Sequence, residues 1–176
     1  SAGGKLFSCS FDRTVVVWSG ATGRRLQELH GHTESISSIS SCCAVVCTGS
    51  WDGTVRLWEL KRLGHSKSLA ISDASNQIAP VHCVCSHPNG RLLFVAGEGG
   101  VVQSFDLTKM NPASTRLQYE GLVGTVNAVV ASKQLVAAAG TEGGVCIWDS
   151  GTAVLKRRIT ASLQPIFALA MLPDDN

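Results

Sequence analysis

The chain's 176 residues are 44% hydrophobic and only 16% charged, with 18 glycines and 5 prolines, a composition that excludes a disordered tail and offers no run suited to a long amphipathic helix. A formal net charge of +2 gives no case for a nucleic-acid or membrane surface as partner, and no apolar run approaches the ~18 residues that span a bilayer.

Short apolar runs broken by Gly, Asp and Asn turns predict an all-β chain. The first unit runs from Ser8 to Trp18: a strand, a turn at Ser10, Phe11, Asp12 and Arg13, and a β-branched strand closing on Trp18. A polar turn and an outer strand at 25–29 follow. Gly31 and His32 then precede an apolar stretch at 36–39. The second unit, Thr48 to Trp58, repeats the first, with Ser50, Trp51, Asp52 and Gly53 in its turn. A further apolar stretch at 81–85 leads to the turn residues His87, Pro88, Asn89 and Gly90. The third unit, Val95 to Phe105, turns at Glu98, Gly99 and Gly100. After the apolar stretch 126–130, the fourth unit, Ala138 to Trp148, turns at Thr141, Glu142 and Gly143. A last apolar stretch, 166–172, reads as one more inner strand.

The closing aromatics Trp18, Trp58, Phe105 and Trp148 lie 40, 47 and 43 residues apart. Gly31-His32, Asp52 and Trp58-Glu59 form the most specific set. On these residues the whole chain resembles the WD40-repeat family, whose period is ~40–45 residues and whose blades are four-stranded antiparallel sheets. The resemblance implies a β-propeller segment of about four blades, belonging to a seven-bladed ring. One domain, 1–176, then divides into blades at about 1–31, 32–77, 78–121 and 122–163, with a further blade starting at 164–176.

The resemblance also implies a buried hydrogen-bonded tetrad in the second blade: His32, Ser50, Asp52 and Trp58. The first blade keeps Ser10, Asp12 and Trp18. The third has Gln77, Gly99 and Phe105 at the His, Asp and Trp positions, and the fourth has Leu122, Glu142 and Trp148, so these two lean on apolar packing and ladder hydrogen bonds. A His-Ser-Asp set also invites a hydrolase reading. It fails because Ser50 lies in a strand rather than on an exposed turn, and because the segment recurs as a structural period.

In such propellers partners dock on the face formed by the turns between second and third strands and by the loops joining blades. The residues placed there are Phe11, Arg13, Glu34, Trp51, Glu98 and Thr141, the aromatic pair being suited to a binding hot spot. Local packing of Phe11 and Trp51 is the competing explanation. His82, Cys83, Cys85 and His87 suggest a metal cluster, but alternation along a strand points neighbours to opposite faces, so no metal is expected. The 7 cysteines sit mostly in apolar runs and read as buried thiols of a reducing, intracellular compartment, cytoplasmic or nuclear. No charged-then-apolar signal segment opens the chain.

The family implies a non-catalytic protein-interaction scaffold with other proteins as partners, no cofactor, no small-molecule ligand, no membrane and no direct nucleic-acid contact. Two alternatives fit the same repeats: a substrate receptor of a cullin-RING or F-box type ubiquitin ligase, and a WD protein of RNA processing or ribosome assembly.

Overall fold

The computed structural model describes residues 4–42, 45–59, 66–71, 77–109 and 115–172. Its strands form four antiparallel sheets taken in chain order. The first has three strands, β1 (Lys5–Cys9), β2 (Val15–Ser19) and β3 (Arg25–Leu29). The second comprises β4 (Ile36–Cys42), β5 (Val45–Ser50), β6 (Thr54–Glu59) and β7 (Ser66–Ala70). The third comprises β8 (Val81–Ser86), β9 (Leu92–Gly97), β10 (Val102–Asp106) and the short β11 (Leu117–Gln118). The fourth comprises β12 (Val126–Ala131), β13 (Leu135–Gly140), β14 (Gly144–Asp149) and β15 (Leu155–Thr160). Each sheet is a simple meander, so every sequence neighbour is also a ladder neighbour. No helix of the described residues is long and apolar enough to cross a membrane.

The meander gives each sheet two ends. The loops between sheets and the turns between second and third strands share one end, called here the upper end. The remaining turns make the lower end. Upper turns are built the same way in the first two blades. The Asp12 carboxylate accepts Thr14 N–H at 2.9 Å and the Thr14 hydroxyl at 2.7 Å. Asp52 does the same for Thr54, at 2.9 and 2.6 Å. An Asx turn of this kind needs a left-handed residue next, and Gly53 supplies it at φ 75°. In the first blade Arg13 occupies that slot at φ 73°.

The core lies between the sheets rather than inside any one of them. Val15, Val17 and Leu29 pack against Ile36, Val46 and Trp58, joining the first blade to the second. Cys47, Val55, Leu57 and Ile71 meet Val81, Leu93, Val95 and Phe105. Phe94, Val102 and Tyr119 meet Val126, Val136, Ala138 and Trp148, with Leu122 packed beside them. Each blade thus removes apolar surface from water only by covering its neighbour. The innermost strands are also tied directly by serines. Ser38 Oγ accepts Val84 N–H at 3.1 Å, and Ser40 Oγ accepts Ser86 N–H at 3.1 Å.

The segment 166–172 departs from expectation. It forms no strand, and Phe167 and Leu172 are exposed. Its first residue is nonetheless in register. Ile166 N–H donates to Gly140 O at 3.0 Å, as Ile36 N–H donates to Ser10 O at 3.2 Å. Ile36 goes on to pair with β5. Among the described residues 166–172 meets no second strand, and a ladder cannot form against nothing.

Candidate functional site

The candidate residues form two constellations, one buried and one exposed. In the buried one, Trp58 Nε1–H donates to Thr48 Oγ1 at 2.9 Å, and Thr48 Oγ1 lies 2.8 Å from His32 Nε2. His32 Nδ1 lies 2.8 Å from Asp52 Oδ2, which also accepts Thr33 N–H at 3.0 Å. A carboxylate at Nδ1 fixes the proton there. Nε2 is then an acceptor for the Thr48 hydroxyl, and every polar group has a partner. Burial holds the His32 imidazole below its ordinary value, against the pull of Asp52. Burial alone would raise Asp52, yet hydrogen bonds from Thr54, His32 and Thr33 outweigh it and hold the carboxyl low.

This corrects the expected tetrad: its hydroxyl belongs to Thr48, and Ser50 has another role. Both side chains lie on one face of β5. Trp58 sits opposite Val46 in the ladder, and its indole reaches the diagonal neighbour, Thr48. Ser50 instead serves the turn, donating to Glu34 O at 3.0 Å and accepting Asp52 N–H at 3.1 Å. The first blade follows the same rule: Trp18 Nε1–H donates to Ser8 Oγ at 2.9 Å, while Ser10 Oγ accepts Asp12 N–H. In the fourth blade the diagonal residue is Ala138, which has no hydroxyl, and Trp148 Nε1–H takes the backbone carbonyl of Glu120 at 2.9 Å. Phe105 needs no such partner. Glu142, at the Asp position, is exposed. Neither Thr48, fully buried, nor His32, 6% exposed, is open to a substrate.

The exposed constellation lies at the upper end. Trp51 and Phe11 stand at the same place in consecutive turns, just before the turn Asp. Their backbones are clamped to the loop between the blades: Trp51 N–H donates to Ser35 O at 3.0 Å, and the Ser35 hydroxyl donates to Phe11 O at 3.3 Å. The rings touch at a centroid distance of 5.3 Å and still leave Phe11 69% and Trp51 43% exposed. Trp51 also meets the His82 ring at 6.1 Å, and His82 Nε2 lies 3.7 Å from Glu98 Oε1. Phe11, Trp51, His82 and Glu98 therefore form a continuous row across three blades.

Of the other upper-end candidates, Arg13 and Glu34 are exposed on neighbouring loops. Thr141, also exposed, ties its turn to the loop ahead of β12, its hydroxyl accepting Thr125 N–H at 3.1 Å. His82 escaped the sequence reading, which took it as a regularly alternating strand residue. It sits instead on a bulge between Val81 and Cys83 that re-aims its side chain. The readable signal was positional: Ser37 and Asn127 occupy the same bulge in β4 and β12.

Comparison with known proteins fits this geometry. The model of the WD domain, G-beta repeat, matches residues 23–59 and 61–106. A curated relative, the periodic tryptophan protein 2 homolog of Schizosaccharomyces pombe, is 28% identical over 84% of this chain and 19% of its own. The COMPASS component SWD3 of Saccharomyces cerevisiae is 23% identical over 92% of this chain and 56% of its own. The crystal structure of the computationally designed Ika8 protein superposes with a TM-score of 0.78 at 22% identity, over 96% of this chain and 50% of that one. The chain thus spans little more than half, at most, of these matched proteins.

Proposed function

We propose that this chain, whose residues 23–59 and 61–106 match the WD-domain repeat, acts as a non-catalytic scaffold in a multiprotein assembly, its partner docking at the upper end on Phe11 and Trp51. The observation that carries this reading is the pair of large rings, side by side on adjacent blades, held outward by clamped turns. Exposed aromatic surface is unfavourable in water and concentrates at binding hot spots. Rigid turns reduce the ordering cost of association. A relative named as a component of COMPASS supports an assembly role in general terms. The buried state of Thr48 and the turn role of Ser50 favour a structural part for the His-Ser-Asp set over a hydrolytic one.

The test is affinity purification from cells with the natural chain and with a Phe11→Ala/Trp51→Ala double variant matched for melting temperature. The variant is expected to lose a discrete set of co-purifying proteins. Recovery of the same set by both baits places docking elsewhere.

A further inference from the structure

We propose that the Phe11–Trp51–His82–Glu98 row receives an arginine side chain from an extended segment of the partner; this deepens the docking reading above and rests on it. The first ground is chemical. Two exposed π-faces attract a cation, and a guanidinium can stack on an indole while forking to a carboxylate. Glu98 is that carboxylate, half-exposed and one imidazole away from Trp51.

The second ground is an unused hydrogen-bonding position. At the equivalent bulge Ser37 Oγ donates to Val81 O at 2.6 Å, and Asn127 Nδ2 donates to Ile166 O at 2.9 Å, each crossing to the next blade. His82 makes no such bond. Its Nε2 is buried without a hydrogen-bond partner, turned toward Glu98. With that bond to the next blade unmade, the imidazole stays 23% exposed between Trp51 and Glu98, and a guanidinium that reaches Glu98 can stack on its ring.

The third ground is the distribution of charge that the meander creates. Asp12, Glu34, Asp52, Glu98, Glu120 and Glu142 lie at the upper end, where Arg13 and the guanidinium of Arg56, which lies against Gly31, oppose them among the described residues. Arg24, Arg91, Lys109 and Lys133 lie at the lower end. A chain of net charge +2 therefore turns an acidic face toward the partner of its aromatic row, which draws in a cationic segment and repels an acidic one. An apolar segment would use the rings but not Glu98.

The test uses the whole chain and four capped peptides, Gly-Ser-Gly-X-Gly-Ser, with X as Arg, Lys, norleucine or Glu. Indole N–H resonances are followed during titration. The Arg peptide is expected to shift the Trp51 signal saturably at millimolar concentration and at least threefold more tightly than the Lys peptide. The norleucine and Glu peptides should leave it unmoved. Glu98→Gln should weaken Arg binding about tenfold on the Trp51 signal, and Trp51→Leu should abolish the shift that the Arg peptide causes in the backbone amide of Glu98, while the buried Trp58 signal reports an intact fold in both. Equal response to Arg and norleucine, or indifference to Glu98→Gln, overturns the proposal. If those results coincide with partner loss in the Phe11→Ala/Trp51→Ala bait, the arginine fails and the docking face stands.

Discussion

Trp58 and His32 share a single hydroxyl: Thr48 Oγ1 accepts the indole N–H at 2.9 Å and lies 2.8 Å from the imidazole Nε2. Thr48→Val keeps the shape and removes both bonds, orphaning two buried groups at about 1–3 kcal/mol each. Ser50→Ala removes a buried hydroxyl, but the groups it leaves behind, Glu34 O and Asp52 N–H, belong to residues still in contact with water, so the loss should be about 1 kcal/mol. Urea denaturation of the two variants checks the order. A larger loss in Ser50→Ala would return the network's hydroxyl to that residue.

The same network makes stability depend on pH. His32 is held below its ordinary 6.5, so the unfolded chain binds a proton before the folded one does. Its contribution is present in full above that ordinary value and is lost as pH falls through the lower, folded value. Asp52, also held low, adds a second loss further into acid. His32→Gln should flatten the fall in stability as pH drops through and below 6.5, measured by denaturant titration at each pH. Parallel curves for variant and natural chain would place the pH dependence elsewhere.

The repeat was legible because each blade must spend a large ring on its neighbour, and rings such as Trp58 and Trp148 are too large to hide any other way. What was not legible depended on register. Ser50 and Thr48 alternate onto the same face of β5, and only the pairing of Trp58 with Val46 shows which one the indole reaches. His82 was misplaced for a related reason: a bulge inserts a residue without altering the apolar pattern around it. The stretch 166–172 has the composition of an inner strand, but a strand is a relation between two segments and composition describes one. Phe11 and Trp51 were placed together correctly by counting back from Trp18 and Trp58, because the turns between are built alike.

Arg13 carries a strain that the other blades avoid. It holds φ 73° where Gly53 holds 75° and Gly143 69°. A left-handed non-glycine residue costs about 1–2 kcal/mol, part of which glycine returns through its freer unfolded chain. Arg13→Gly should therefore stabilise the chain by about 0.5–1 kcal/mol. Thermal melting provides the measurement. A lowered melting temperature would mean that the Arg13 side chain contributes contacts exceeding the strain.

Trp51 separates a binding residue from a packing residue. Its backbone holds the turn, through Trp51 N–H to Ser35 O, and that bond survives any substitution that keeps the backbone N–H. Among the described residues its ring stacks beside the rings of Phe11 and His82, and it remains 43% exposed. Trp51→Ala should therefore cost at most about 1 kcal/mol, against the 3–5 kcal/mol typical of a buried aromatic such as Trp58. Chemical denaturation of Trp51→Ala beside Trp58→Ala gives the comparison, since both remove the same side chain from the same blade. Comparable losses would make the upper-end row part of the core, and the exposed rings would then owe their place to folding rather than to a partner.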